Sequence, residues 1–338
     1  MGETAMVGKT LGFLAQVAPW AVVSGLAYAA AFVKPGVQPL PLPQPLIEPR
    51  DRFYDVARSG DGRFWFSGSH GVVLEGTPDS AQWHRFTLPE PVNLQGVAAS
   101  DDGIIVTAGN EGWVFTGTGG EDWQAQHLPV SDVAGKLVDV IWLDGQFWVI
   151  GEMGAVFRSD DDGQNWVDLG MDEDISLNDL ARSPDGTLWI AAEFGTLFRS
   201  KDGGATWTGT ELGAESLRAL AFHGDDGVIA ANGGVVYRTA DGGQSWRRVQ
   251  TPSREHLYDV AWDGQRWVVT GNGGSLLASD DGAEWTSIAP DGLGSGYYTR
   301  LVTTGKGLVL AGQTIGEVVD GQWQPWPPAG ARNGEDQP

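Results

Sequence analysis

The chain contains no cysteine in its 338 residues, which excludes a disulfide framework and any cysteine-ligated metal. That absence fixes no compartment: it suits an envelope protein that avoids oxidation, and many others. Basic residues are scarce, with 21 Lys plus Arg against 44 Asp plus Glu and a net charge of −23. Such a balance argues against nucleic acid and against direct adsorption to anionic lipid. The acids are dispersed rather than blocked, so their default role is a solvated surface. The five histidines, His70, His84, His127, His223 and His256, are scattered along the chain without H-x-x-x-H or H-E-x-x-H spacing, which leaves no metal pattern. There is no G-x-S-x-G elbow and no P-loop. No metal, no cofactor and no catalytic residue is implied by any of these counts.

What is present is a period. Seven tryptophans, Trp83, Trp123, Trp166, Trp207, Trp246, Trp285 and Trp323, follow one another at 40, 43, 41, 39, 39 and 38 residues. Self-similarity at this length marks one supersecondary unit copied until the copies bury each other. Each copy opens with a short apolar phrase, Tyr54-Asp55-Val56-Ala57, Val138-Asp139-Val140-Ile141, Asn178-Asp179-Leu180-Ala181 or Tyr258-Asp259-Val260-Ala261. A Gly or Asp-Gly turn follows, then an aromatic and β-branched run such as Phe64-Trp65-Phe66 or Leu188-Trp189-Ile190. A G-x-x-G-like turn leads to a third run, for example Val156-Phe157-Arg158 or Leu197-Phe198-Arg199, and the phased tryptophan opens the fourth.

Runs of four to six residues, apolar or alternating and bounded by Gly, Asp, Asn or Ser, are strands. Four strands in each of seven copies predict an all-β, seven-bladed β-propeller of four-stranded antiparallel blades, which removes most sheet edges by closing a ring. The fifty glycines fit the many tight turns this requires. The blades are expected at 53–89, 93–129, 136–170, 176–213, 215–251, 256–290 and 297–326, within a propeller domain of 51–328.

Several of the turns resemble the Asp-box, S-x-D-x-G-x-T-W, of the bacterial neuraminidase repeat proteins. Ser200-Lys201-Asp202-Gly203-Gly204-Ala205-Thr206-Trp207 matches in full. The turns of Ser159, Asp161 and Trp166, and of Asp241 and Trp246, match with conservative exchanges, and that of Asp281 and Trp285 is one residue short. The motif can serve the fold without a ligand, because the aspartate accepts backbone N–H groups of its own turn, glycine supplies the reversal, and tryptophan packs between sheets. Trp65, Trp148, Trp189 and Trp267 recur in the second strand and are expected in the core. The carboxylates at Asp160, Asp161 and Asp162 lack the glycine and closing glutamate of a calcium loop, so a solvated turn is expected there.

Residues 1–34 read as an N-terminal transmembrane helix or signal sequence. Thr10 to Val33 carries no charged side chain, and Leu11 to Val33 as a helix would reach about 34 Å against a hydrocarbon core of about 30 Å. The length favours an uncleaved anchor, while Ala27-Tyr28-Ala29 and Ala29-Ala30-Ala31 are patterns that a cleaved signal would use. Residues 35–50 form a linker whose Pro35 to Pro49 stretch has six prolines in fifteen residues, a semi-rigid spacer. Residues 329–338 are a polar tail expected to fray. Leu46 and Ile47 are available as a clasping strand for the ring.

The resemblance to the neuraminidase repeat carries one enzymatic alternative, a sialidase-like glycoside hydrolase or carbohydrate-binding propeller. Arg52, Arg218 and Arg300 would then converge on a carboxylate near the channel, with Tyr297 or Tyr298 as nucleophile. Sialidases of that kind usually spread the repeat over six blades and carry an Arg-Ile-Pro motif, which is absent here.

The seven-copy register, the strand phrase with Asp before a small apolar pair, and the G-x-x-G turn leading into the Asp-box are also similar to the photosystem II stability and assembly factor-like propellers and their non-photosynthetic bacterial relatives. The likeness covers 53–326. It implies a non-catalytic docking or assembly subunit for an integral membrane protein complex, an accessory of an RND-type exporter in the non-photosynthetic case, held at the inner membrane with the propeller in the periplasm. The photosynthetic group is marked by a basic, arginine-rich face that this acidic chain lacks. Docking would fall to the turns between second and third strands, whose inner positions escape the repeat constraint. Those positions are Ser69, His70, Asn110, Glu111, Glu152, Met153, Glu193, Phe194, Asn232, Asn272, Gln313, Thr314 and Ile315, with His70, Glu111, Glu152, Met153, Glu193, Phe194, Asn232 and Asn272 expected to bind the partner. Met153 and Phe194, ringed by Glu111, Glu152 and Glu193, would make an apolar centre with a polar rim.

Overall fold

A computed structural model describes residues 17–28, 30, 45–78, 80, 82–119, 122–328 and 331–333. The chain divides into two compact units, 1–44 and 45–338. In the first, residues 17–28 form a helix with Trp20, Val22, Val23, Leu26 and Tyr28 exposed. Most of the remaining apolar segment expected from Leu11 to Val33 lies outside the described residues. Among the described residues no helix is long and apolar enough to cross a membrane.

The second unit is a ring of seven sheets, each of four antiparallel strands in chain order. Blade 1 consists of Phe53–Arg58, Phe64–Gly68, Val72–Gly76 and Gln82–Thr87; the others span 94–127, 137–168, 177–211, 217–250, 257–287 and 298–325. The blade limits read from the sequence fall within three residues of these. The first strand of each blade faces those of its neighbours around the axis, and blade 7 meets blade 1 to close the circle.

The core lies between blades rather than within them, because each sheet presents its apolar alternation to the next sheet. Trp65, Val73 and Leu88 of blade 1 pack with Leu94, Val97, Ile105 and Phe115 of blade 2. Trp148, Ile150 and Val156 of blade 3 pack with Leu177, Leu180 and Ile190 of blade 4. Trp65, Trp148, Trp189 and Trp267 are all buried, as the period requires.

Ring closure uses no strand from Leu46 and Ile47. Residues 45–50 instead form bends and a turn, and Leu46 plugs the seam between Phe64, Val72 and Trp83 of blade 1 and Val309, Ile315 and Trp326 of the last blade. Arg85 holds this turn by donating to the Leu46 carbonyl at 2.9 Å and to Asp51 at 2.6 Å. At the other end of the chain, Arg332–Asn333 add a short parallel strand to the outer edge of blade 1. These two residues belong to the segment 329–338 expected to fray, of which 329–330 and 334–338 lie outside the described residues.

Candidate functional site

Every first strand carries an extra residue near its start. The register slips between Phe53 and Asp55, Leu94 and Gly96, Leu177 and Asp179, Leu217 and Ala219, Leu257 and Asp259, and Tyr298 and Arg300. Blade 3 does the same at Val138. A bulged residue leaves the ladder and its side chain is re-aimed. Here the seven bulged residues, Tyr54, Gln95, Val138, Asn178, Arg218, Tyr258 and Thr299, together with Arg300 line a cavity of about 110 Å³ on the axis.

The floor of this cavity follows from the next position in each copy: Asp55, Gly96, Asp139, Asp179, Ala219, Asp259 and Arg300. Each aspartate turns Oδ1 to its following N–H, at 2.7 to 2.8 Å. The other oxygens of Asp55, Asp179 and Asp259 accept N–H groups of Val97, Leu220 and Leu301 in the next blade, each at 2.7 Å. Arg300 then fills the centre, with Asp55 at 2.7 Å, Asp139 at 2.5 Å and Asp259 at 3.8 Å.

Four carboxyls around one guanidinium cannot all be ionised cheaply in a site removed from water. Burial pushes Asp55 up to about 7 and Asp179 up to about 8, against the pull of Arg300. Burial also raises Asp139, whose Oδ2 has no hydrogen-bond partner when the group is ionised. Asp179 is the neighbouring carboxyl that acts on Asp139. On the far side of the plug a second depression, lined by Asp55, Asp139, Asp179 and Arg300 among others, opens to the opposite face. The channel is therefore blocked at mid-height.

Above the plug the polar groups differ in how they are used. Asn178 donates to the Leu217 carbonyl at 2.7 Å, Gln95 to Asn110 at 3.1 Å and Thr299 to the Tyr54 carbonyl at 2.8 Å. Arg218 has no hydrogen bond or ion pair among the described residues. Its guanidinium lies over the Tyr258 ring, 5.6 Å from the centroid, and burial lowers its pKa against smaller opposing effects of Tyr258 and Glu193. Burial raises the Tyr54 and Tyr297 hydroxyls at the same mouth.

The turns between second and third strands stand at this end of the blades, since the start of each first strand pairs with the end of its second, as Phe53 does with Gly68. Their apices are left-handed: His70, Glu111, Met153 and Phe194 have φ of 59°, 60°, 56° and 54°, and Gly233 and Gly273 take the same place in blades 5 and 6. All four side chains are exposed, Phe194 at 66%. Val133, in the loop between blades 2 and 3, is 91% exposed on the same face. Glu152 is engaged with Lys136, whose backbone N–H it accepts at 3.1 Å. Asn272 donates to Glu255 at 2.7 Å. Glu193 and Asn232 are half-buried beside their apices.

On the opposite face the aspartate turns are closed by their own hydrogen bonds. Ser200 donates to Asp202 at 2.7 Å, and the Thr206 N–H and hydroxyl reach the same carboxylate at 2.9 and 2.6 Å. Asp161 is held likewise by Ser159 and Asn165, and Asp241 by Thr239 and Ser245. Ser279 and the N–H of Ala283 hold Asp281. Trp285 is buried, while Trp166, Trp207 and Trp246 are half-buried.

Of the residues named for a sialidase-like site, Arg218 and Arg300 do line one cavity, but Arg300 is committed to the aspartates. Tyr298 is buried in the core, donating to the Leu293 carbonyl at 2.8 Å. Arg52 is tied to the carbonyls of Pro49 and Asp51. No sequence motif marks the ring of bulged residues. Its signal is a position that varies freely, as Tyr, Gln, Val, Asn, Arg, Tyr and Thr, beside neighbours that repeat.

A protein-family model described as the DUF6242 beta propeller domain matches residues 77–210 and 138–257. Together these span more than half of the chain, which belongs to that family. No curated protein matches the sequence. Among solved structures, YCF48 bound to a D1 peptide is 19% identical with a TM-score of 0.63, covering 82% of this chain and 97% of its own. YCF48 from Cyanidioschyzon merolae is 19% identical with a TM-score of 0.60, over 81% and 94%. Virginiamycin B lyase from Staphylococcus aureus is 15% identical with a TM-score of 0.67, over 78% and 92%. At these identities the likeness establishes the propeller fold.

Proposed function

We propose that this member of the DUF6242 propeller family is a non-catalytic docking or assembly subunit that holds an integral membrane protein complex on the face of its left-handed turns. In its most specific form the partner is an RND-type exporter. The aspartate turns are Asp-boxes that stiffen the opposite face, and the apolar segment near the N-terminus tethers the ring to the inner membrane, with the propeller in the periplasm.

The observation that carries this reading is Phe194. A bulky residue with positive φ is strained, and this one is also two-thirds exposed, so neither the backbone nor solvent favours it in the isolated chain. Burial against a partner would offset both. Met153 in the neighbouring blade and Val133 in the loop before it extend the same apolar face. Around them stand Glu111, Glu152 and Glu193, a polar rim about an apolar centre. Among solved propellers of this fold, one is seen with a peptide of another protein, which supports a binding role without fixing the partner.

The test is co-purification of the full chain from membranes in mild detergent. The wild type is expected to bring down one membrane protein complex. Replacing Met153 and Phe194 together by Ser should abolish that capture without lowering the melting temperature. Unchanged capture would count against this face.

A further inference from the structure

We propose that the axial cavity is a binding site for a carboxylate group, seated between the guanidinium of Arg218 and the hydroxyls of Tyr258 and Tyr54.

The ring of bulged residues leaves three donors unused. Asn178, Gln95 and Thr299 have protein acceptors, and Val138 has no polar group. Arg218 and the hydroxyls of Tyr54 and Tyr258 have no hydrogen-bond partner among the described residues. All three can donate, and the ring contains no acidic residue. The half-buried guanidinium has no acceptor among the described residues, although the chain has 44 acidic side chains from which one could have been supplied. Arg300, one layer below, has three. The difference assigns Arg218 to a ligand.

Its chemistry follows from shape and charge. A planar guanidinium lying over an aromatic ring keeps its N–H edge free for the two oxygens of a carboxylate. The cavity, at about 110 Å³, is smaller than the roughly 150 Å³ that holds benzene, so it admits the head of a ligand rather than a sugar ring. Glu193 stands close enough to act on Arg218, and the aspartates lie under the floor. A singly charged group is repelled less there than a phosphate of nearly two charges. The carboxylate can belong to a small free acid or to a glutamate side chain presented by a docked protein.

Glutaramate, N-acetyl-glutamate N-methylamide, glutaramide and inorganic phosphate would be titrated calorimetrically into the full chain in detergent. At least one of the two carboxylates should saturate, while the diamide and phosphate should not. Whichever carboxylate binds more tightly identifies the source. Arg218→Gln should weaken binding about tenfold or more, and Tyr258→Phe, which removes one hydroxyl and keeps the ring, about threefold to tenfold. The second variant keeps the test valid should the first misfold. Absence of saturation by both carboxylates, phosphate binding as tight as theirs, or unchanged affinity in Tyr258→Phe and folded Arg218→Gln would overturn the assignment. The Met153→Ser, Phe194→Ser variant should still bind glutaramate, so the cavity and the docking face stand or fall separately.

Discussion

Phe194 and Gly233 occupy one place in neighbouring copies, at φ of 54° and 68°, yet only glycine reaches that region without a Cβ penalty. Relieving it in Phe194→Gly should stabilise the fold by about 1 kcal/mol, less some gain in unfolded-chain entropy. A urea midpoint that rises, or stays put, in this variant agrees with a side chain that packs on nothing in its own chain; a fall of about 2 kcal/mol would place it in a local core instead. At this scale the sequence was informative where it broke its own rule. An aromatic residue in a turn otherwise built of His, Glu, Met and Gly stands out by eye. Arg218 was singled out there only through the sialidase resemblance; that it lacks an acceptor is visible only when seven distant segments are brought around an axis.

A blade is joined to the next by interlocking turns as well as by its apolar face. Gly243 in the turn of blade 5 sits flat on the indole of Trp189 in blade 4; a Cβ there would lie 2.5 Å from the ring, and φ is already 87°. Gly243→Ala should therefore cost about 2–3 kcal/mol through overpacking and backbone strain together. Circular dichroism melts would show it, and an unchanged melting temperature would mean that the turn moves freely over the ring. Blade limits and strand order were legible because the spacing of Trp83 to Trp323 repeats what the chain does in space. The depth of the phased indoles was not. Trp207 and Trp246 are half-buried, with their indole nitrogens covered. Nor was the closure legible: Leu46 acts through a turn fixed by Arg85 and Asp51, a contact across 34 residues and more that no periodicity announces.

For the whole ring the plug of Arg300 and four aspartates sets a pH dependence. Asp55 and Asp179 titrate at about 7 and about 8 in the folded chain, and near 3.9 when unfolded. Between about pH 4 and pH 8 the folded state thus binds more protons than the unfolded, so stability falls as pH rises and levels off above the raised values. Asp202 and Asp241 act in the opposite sense at lower pH. Hydrogen bonds led by the hydroxyls of Thr206 and Ser245 hold them at about 2, and the stability they contribute is lost as pH falls from about 4 through that value. Urea midpoints should peak near pH 4 to 5 and decline toward pH 8.5. Asp139→Asn, whose amide nitrogen can take the place of the unpartnered Oδ2 and which removes a carboxylate that raises Asp179, should flatten that decline. An unaltered slope in the variant would show that other groups set it.

Because the bulged residues stand outside the strand ladders, each mouth-lining side chain is exempt from the pairing that stabilises its sheet. The seven copies thereby aim seven side chains at a single point. Tyr54, Val138, Arg218 and Tyr258 can be rewritten without retuning the scaffold, whereas Asn178 and Thr299 also tie one blade to the next; what such a wheel admits at its mouth can change while its spokes stay as they are.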